Sequence, residues 1–229
     1  MTNNRSAQTL NPLDMNTLIF TSSRYFKQFL AIICMTLGLS GWAFAQQAPD
    51  EFMQKLTNEL LDMVRKDPAL KAGDLQKIGA VLDTKLKPYI NFQRMTAAAV
   101  GPAWRQATPE QQKRLQEEFK LLLMRSYSGA LSQIKDNSTI LVKPLRQTGN
   151  DNELVVRSEI RGSAEPIPID YRLEKTAESD SGWRIYNFNI LGIWLVDNYR
   201  TQFSQEINAK GIDGLIATLS ERNKSNSRK

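Results

Sequence analysis

Residues 183–215, WRIYNFNILGIWLVDNYRTQFSQEINAKGIDGL, switch their apolar rhythm at a glycine, and the switch dictates what the rest of the chain must supply. Trp183 and Ile185 fall on one side of the opening stretch, and Tyr186, Phe188 and Ile190 on the other. That pattern predicts a strand buried on much of both faces. Gly192 breaks the run. Beyond it Leu195, Tyr199, Phe203 and Ile207 recur every fourth residue, while Asp197, Arg200, Gln205 and Glu206 fall elsewhere, as in an amphipathic helix. Gly211 ends that helix, and Asp213 can cap a short last one carrying Leu215, Ile216 and Leu219. A strand with two apolar faces needs a partner on each, and a helix layer can be one of them.

The chain has 229 residues, enough for one domain with its own core. Arg24 and Lys27 precede an apolar run from Phe29 to Leu39, and Ala43-Phe44-Ala45 follows as a small-x-small cleavage site before Gln46. Residues 1–45 therefore read as a secretory signal peptide, with Met15 able to serve as the true start. The run is about half of the ~20 residues a membrane span needs. The single cysteine, Cys34, lies inside it and leaves with it, and Ile33 is the wrong neighbour for a lipoprotein signal. With no histidine anywhere, the processed chain carries neither thiol nor imidazole. Cys–His and Ser–His–Asp nucleophile systems and His- or Cys-based metal sites are excluded, and no cofactor is expected. Processing also removes Arg5, Arg24, Lys27 and Asp14, so a formal excess of six positive charges falls to four. That surplus is mild, and only the polar tail 223–229 is frankly basic, which argues against a nucleic-acid partner.

A first helix opens near Asp50 on Phe52, Leu56, Leu60, Met63 and Val64 and stops at Asp67-Pro68. Asp74 caps a second, through Leu75, Ile78, Val81, Leu82 and Leu86, and a short third follows Asn91. Thr108-Pro109-Glu110-Gln111 is a capping box with proline at the first helical position. It predicts a long helix to about Lys135, apolar over more than a third of its girth because Leu121 and Met124 widen the stripe. Four strands are then predicted: Thr139–Leu145, Leu154–Arg161, Ile167–Glu174 and Trp183–Ile190. Short turns between them give an antiparallel meander. The predicted fold class is α+β: a curved antiparallel sheet of about four strands packed against several helices, with an apolar cavity between the layers. Residues 46–222 form its single domain.

Chemistry is sparse. Glu117-Glu118 lie on the polar side of the long helix, Ser126 and Ser128 have no base in view, and no glycine-rich phosphate loop exists. An α+β cone can host a buried carboxylate base, for which Asp170 and Glu159 are the candidates. Alternation puts both with arginines on the wet face. What remains is an excess of apolar side chains, readable as plain core or as the lining of a cavity.

TPEQQKRLQEEFKLLLMRSYSGAL (108–131), the strand opening at 183–186 and LVDNYRTQFSQEINAKGIDGLIATL (195–219) resemble the MlaC, or toluene-tolerance, family over the whole processed chain. Asn198-Tyr199-Arg200 and Gly211-Ile212-Asp213-Gly214 are the most specific parts. The resemblance implies a secreted periplasmic carrier of Gram-negative bacteria, not an enzyme. Such a carrier holds phospholipid acyl chains between sheet and helices to maintain outer-membrane asymmetry. The implied partners are a phospholipid, the MCE-domain ring of an inner-membrane ABC transporter and an outer-membrane lipoprotein–porin complex. The lipid-facing positions are then Phe119, Leu122, Leu123, Tyr127, Leu131, Ile169, Tyr171, Ile185, Phe188, Ile193, Trp194 and Tyr199. The chain departs from the family where an acidic residue, glycine, an aliphatic and a small polar residue are usual: here stands Leu191-Gly192-Ile193-Trp194. Trp194 can gate the mouth of a cavity or plug the end of a core. A carboxylate enzyme, a hopanoid-associated protein, and a binding module or assembly factor without lipid are the alternatives.

Overall fold

A computed structural model describes residues 47–145, 152–162 and 165–225; the signal peptide and its cleavage point lie outside the described residues. The helices are α1 (Pro49–Lys66), α2 (Pro68–Lys71), α3 (Leu75–Val81), α4 (Phe92–Val100) and α5 (Pro109–Tyr127). The strands β1 (Thr139–Val142), β2 (Glu153–Arg161), β3 (Ile167–Lys175), β4 (Trp183–Ile190) and β5 (Ile193–Trp194) follow, and α6 (Leu195–Ser225) closes the chain. The five strands form one antiparallel sheet in sequence order, so the expected α+β meander is present with one strand more than predicted.

Side-chain chemistry sets the helix starts. Asp67 ends α1 and accepts from the amides of Ala69 and Leu70, which starts α2. Asp74 accepts from Gln76 and Lys77 at 2.8 and 3.0 Å. At α5 the capping box is complete: the Gln111 amide donates to Thr108 Oγ1, and the Thr108 amide donates to Gln111 Oε1. α5 is shorter than predicted, because its last turns tighten to 3₁₀ over Ser128–Gln133. α3 likewise gives way to a π-helical turn, Leu82–Leu86, and none of its apolar residues is fully buried. Gly211, at φ 70°, splits α6 into the two segments expected. The second segment runs through Ser225, past the expected start of the polar tail. Asn223 is buried there and donates to the Glu118 carbonyl and to Glu118 Oε2.

The two-sided apolar strand has a different explanation from the one its alternation suggested. Pairing with β3 shifts register between Arg172 and Leu173, leaving Tyr186 as an unpaired residue of β4. A bulge of this kind resets which face later residues occupy. Ile185, opposite Leu173, and Phe188, opposite Tyr171, therefore share the helix-facing side. Tyr186 is turned to the other face, where the Arg94 guanidinium stacks 3.7 Å above its ring. Arg94 also pairs with Glu153 and Glu174, and the Tyr186 hydroxyl donates to Glu153 at 2.8 Å. That arginine holds the Glu153 carboxyl below its usual range, while burial, then Glu153, pushes the Tyr186 phenol up to about 12.

β4 ends in a second unpredicted feature. Leu191 and Gly192 both take positive φ, 53° and 88°, and reverse the chain so that Ile193 pairs with Ile190 and Trp194 with Asn189. Two left-handed residues in succession make the tight hairpin turn whose twist suits antiparallel strands. Asn187, 1% exposed, then ties sheet to helix. Its Oδ1 accepts from the amides of Phe188 and of Val196, in the first turn of α6, at 2.9 and 3.1 Å. Replacing it removes the acceptor of the buried Val196 amide and of the part-buried Phe188 amide. Asn187→Ala is expected to lower the unfolding free energy by about 1–3 kcal/mol. Urea denaturation measures this directly, and a loss indistinguishable from zero would show that the cap does not position α6.

Candidate functional site

The apolar interior has a solid end and a half-open end. At the solid end Leu115, Phe119 and Leu122 of α5 are buried. Phe119 meets Tyr199 and Phe203 edge-on, with centroids 5.1 and 5.2 Å apart. Edge-to-face pairs add about 0.5–1.5 kcal/mol beyond their area. Leu173, Trp183 and Ile185 of the sheet are buried in the same cluster. Of the predicted lipid-facing residues, Phe119, Leu122, Tyr171, Ile185 and Tyr199 belong here.

Further along the same elements burial thins. Leu123, Tyr127 and Leu131, in the last turns of α5 and just beyond, are half-buried. So are Ile169 and Phe188, together with Ile160, Ile167 and Ile190, which the sequence reading left out. Register aligns these on one face: Ile160 opposite Ile167, and Ile169 opposite Ile190. Two contacts hold the N-terminal helices against the segments that flank this region. The Arg65 guanidinium donates to the Ser138 carbonyl just ahead of β1. Gly73, at φ 82°, sits where a Cβ would lie 3.0 Å from the Ser128 carbonyl oxygen, just beyond α5. The alternation of Ile160, Ile167 and Ile169 was visible in the sequence; the register that gathers them was not.

Hydroxyls of Tyr127, Ser158 and Tyr171 lie among these apolar groups. Tyr171 Oη lies 3.4 Å from the Ser158 hydroxyl, which donates to the Ile169 carbonyl at 2.8 Å. Burial pushes the Tyr171 phenol up to about 12, and burial, then the neighbouring Tyr199, raises that of Tyr127. The two carboxylates considered as bases lie on the opposite face of the sheet. Glu159 bonds Arg161 at 2.7 Å and pairs with Lys143, and these contacts, that of Arg161 first, lower its pKa. A base at neutral pH needs the reverse shift. Asp170 stands in register between Arg157 and Asn189 on that same outer face. Among the described residues no group of acidic, Cys or His side chains could hold a metal, and no helix is long and apolar enough to cross a membrane.

Ile193 and Trp194 lie just beyond the half-open end, on the strand paired with Ile190 and Asn189. Ile193 is 56% exposed. The Trp194 indole lies 4.1 Å under the Arg172 guanidinium, which pairs with Asp197 at 3.1 Å. Trp194 thus occupies the joint between sheet and α6, half-buried beneath a cation.

A sequence model described as MlaC protein matches residues 54–221. The chain is similar to the "Intermembrane phospholipid transport system binding protein MlaC" of Haemophilus influenzae, at 21% identity over 181 residues, covering 78% of this chain and 84% of that protein. It is similar to the "Toluene tolerance protein ttg2D" of Pseudomonas putida at 26% over 170 residues, covering 74% and 77%. A solved phospholipid-binding protein from Ralstonia solanacearum, in complex with a phospholipid, is 40% identical with a TM-score of 0.71, covering 76% of this chain and 96% of that one. By the span of the family match, over the same helices and sheet that form the apolar interior, this chain belongs to the MlaC family.

Proposed function

We propose that this protein is a non-enzymatic periplasmic carrier. It holds phospholipid by its acyl chains at the half-open end of the interior and moves it between outer- and inner-membrane complexes. The observation that carries the reading is the change along α5 and the sheet from fully buried to half-buried apolar residues. Leu123, Tyr127, Leu131, Ile169 and Phe188 form the wall of the lipid site. Phe119, Leu122, Tyr171, Ile185 and Tyr199 form the packed floor behind it. Support comes from the Ralstonia relative, whose structure is a phospholipid complex, and from the transport-system name of the Haemophilus relative. The partners in this reading are an outer-membrane lipoprotein–porin complex and the MCE-domain ring of an inner-membrane ABC transporter. The leader 1–45 delivers the chain to the periplasm.

Hydrophobic energetics suit exchange. Two acyl chains carry about 30 methylenes, each worth ~0.8 kcal/mol on leaving water, or roughly 25 kcal/mol together. That exceeds any observed non-covalent affinity, so free lipid in water is not the working reference. The lipid leaves a bilayer where its chains are already dry. A wall of half-buried alkyl and aromatic groups need only match that environment and then yield.

Native mass spectrometry of protein released from its own periplasm is expected to show a bound diacyl phospholipid and a chain beginning at Gln46. A persistently empty protein, or one retaining its leader, would overturn the carrier reading. Wall and floor should separate by mutation. Leu123→Glu or Tyr127→Glu is expected to abolish lipid co-purification with native circular dichroism, because a lone charge against acyl chains is costly. Phe119→Ala is expected to cost about 3–5 kcal/mol of stability. Retention of lipid by the glutamate variants would move the site elsewhere.

A further inference from the structure

The three exposed large apolar side chains among the described residues are Leu141, Leu191 and Ile193, at 39, 66 and 56% exposure. The latter two share one hairpin tip. Leu191 holds a left-handed backbone, φ 53°, in a turn whose geometry favours asparagine, aspartate or glycine. The tip is held in place, since the Leu191 amide donates to the Pro168 carbonyl at 3.2 Å. From Asn189 to Trp194 there is no charged side chain, in a chain where 24% of residues are charged. Polarity returns in order at the base. The Trp194 indole comes first, then Arg172 stacked on it, with the Arg172–Asp197 pair behind.

We propose that the β4–β5 hairpin docks the protein on a phospholipid bilayer: Leu191 and Ile193 enter the surface while Trp194 and Arg172 sit at headgroup level. Aliphatic groups deepest, then indole and guanidinium, is the polarity order of a membrane interface, where tryptophan concentrates and arginine reaches back to water. A protein groove is the poorer fit. Two side chains cover far less than the ~800 Å² per partner of a stable protein interface, whereas shallow membrane contact has no such threshold. The hairpin continues from Ile190, at the half-open end of the interior, so docking would present that end to the bilayer. This last step rests on the carrier reading; the docking does not.

The test uses the processed protein and vesicles of phosphatidylethanolamine and phosphatidylglycerol, with and without bromine atoms on the lipid close to the headgroup. Trp194 emission is isolated by subtracting a Trp194→Phe variant. The expected result is quenching of Trp194 by the shallow bromines. Vesicle affinity should fall roughly tenfold or more in a Leu191→Asn, Ile193→Ser double variant. That variant should keep its melting temperature, because asparagine suits the left-handed turn. Unquenched emission, or equal vesicle binding by both proteins, overturns the proposal. So does a double variant that binds vesicles normally yet fails to exchange lipid with a partner protein, since the hairpin then docks on protein. A protein empty of lipid whose vesicle binding still depends on Leu191 and Ile193 removes the carrier reading and leaves the docking standing.

Discussion

The inserted Tyr186 of β4 governs more of this structure than its size suggests. Without it, Ile185 and Phe188 would lie on opposite faces and the interior would lose one of them to solvent. With it, both face the helices, and Asn91 donates its amide to the Ile185 carbonyl at 2.8 Å on the far side of the strand. The displaced phenol becomes a platform for Arg94, which gathers Glu153 and Glu174 and so fastens the start of α4 to β2 and β3. One bulge thereby fixes the face of the sheet, the docking of a helix and the position of Phe188.

Much of the architecture is legible in the residues. The capping box at Thr108, the stop at Asp67-Pro68, the cap at Asp74 and the break at Gly211 follow from local backbone chemistry, which a sequence carries within four residues. β2 and β3 announce themselves by alternation. Three things are not legible. The bulge at Tyr186 needs the partner strand's register. The hairpin at Leu191-Gly192 places leucine where turn chemistry favours asparagine, so nothing local announces β5. Leu122 and Leu123 are adjacent and chemically identical, yet one belongs to the solid end and the other to the half-open end. Composition cannot separate them, because the difference lies in which neighbours cover each one. The family shows in the resemblance of 108–131, 183–186 and 195–219, not in any spacing of reactive groups.

The division into a solid and a half-open end reconciles two demands. On the carrier reading, a site that accepts long alkyl chains cannot itself be close-packed, since interiors leave almost no unused volume. Stability must then come from elsewhere in the same interior. Here the Phe119–Tyr199–Phe203 cluster, Leu115 and the buried sheet residues Val156, Leu173 and Ile185 supply it. The described residues include no cysteine to add a covalent staple.

That cluster also joins distant parts of the chain. Phe119 packs on Tyr199 and Phe203, with the whole sheet between them in sequence, and Asn223 completes the contact with α5 close to the chain's end. Contacts of such long separation form late, because the intervening chain must first be ordered. In a chain made N-terminus first, α5 can meet α3 and α4 early, but its Phe119 ring lacks Tyr199 and Phe203 until nearly every residue has been made. The aromatic centre of the core therefore closes last.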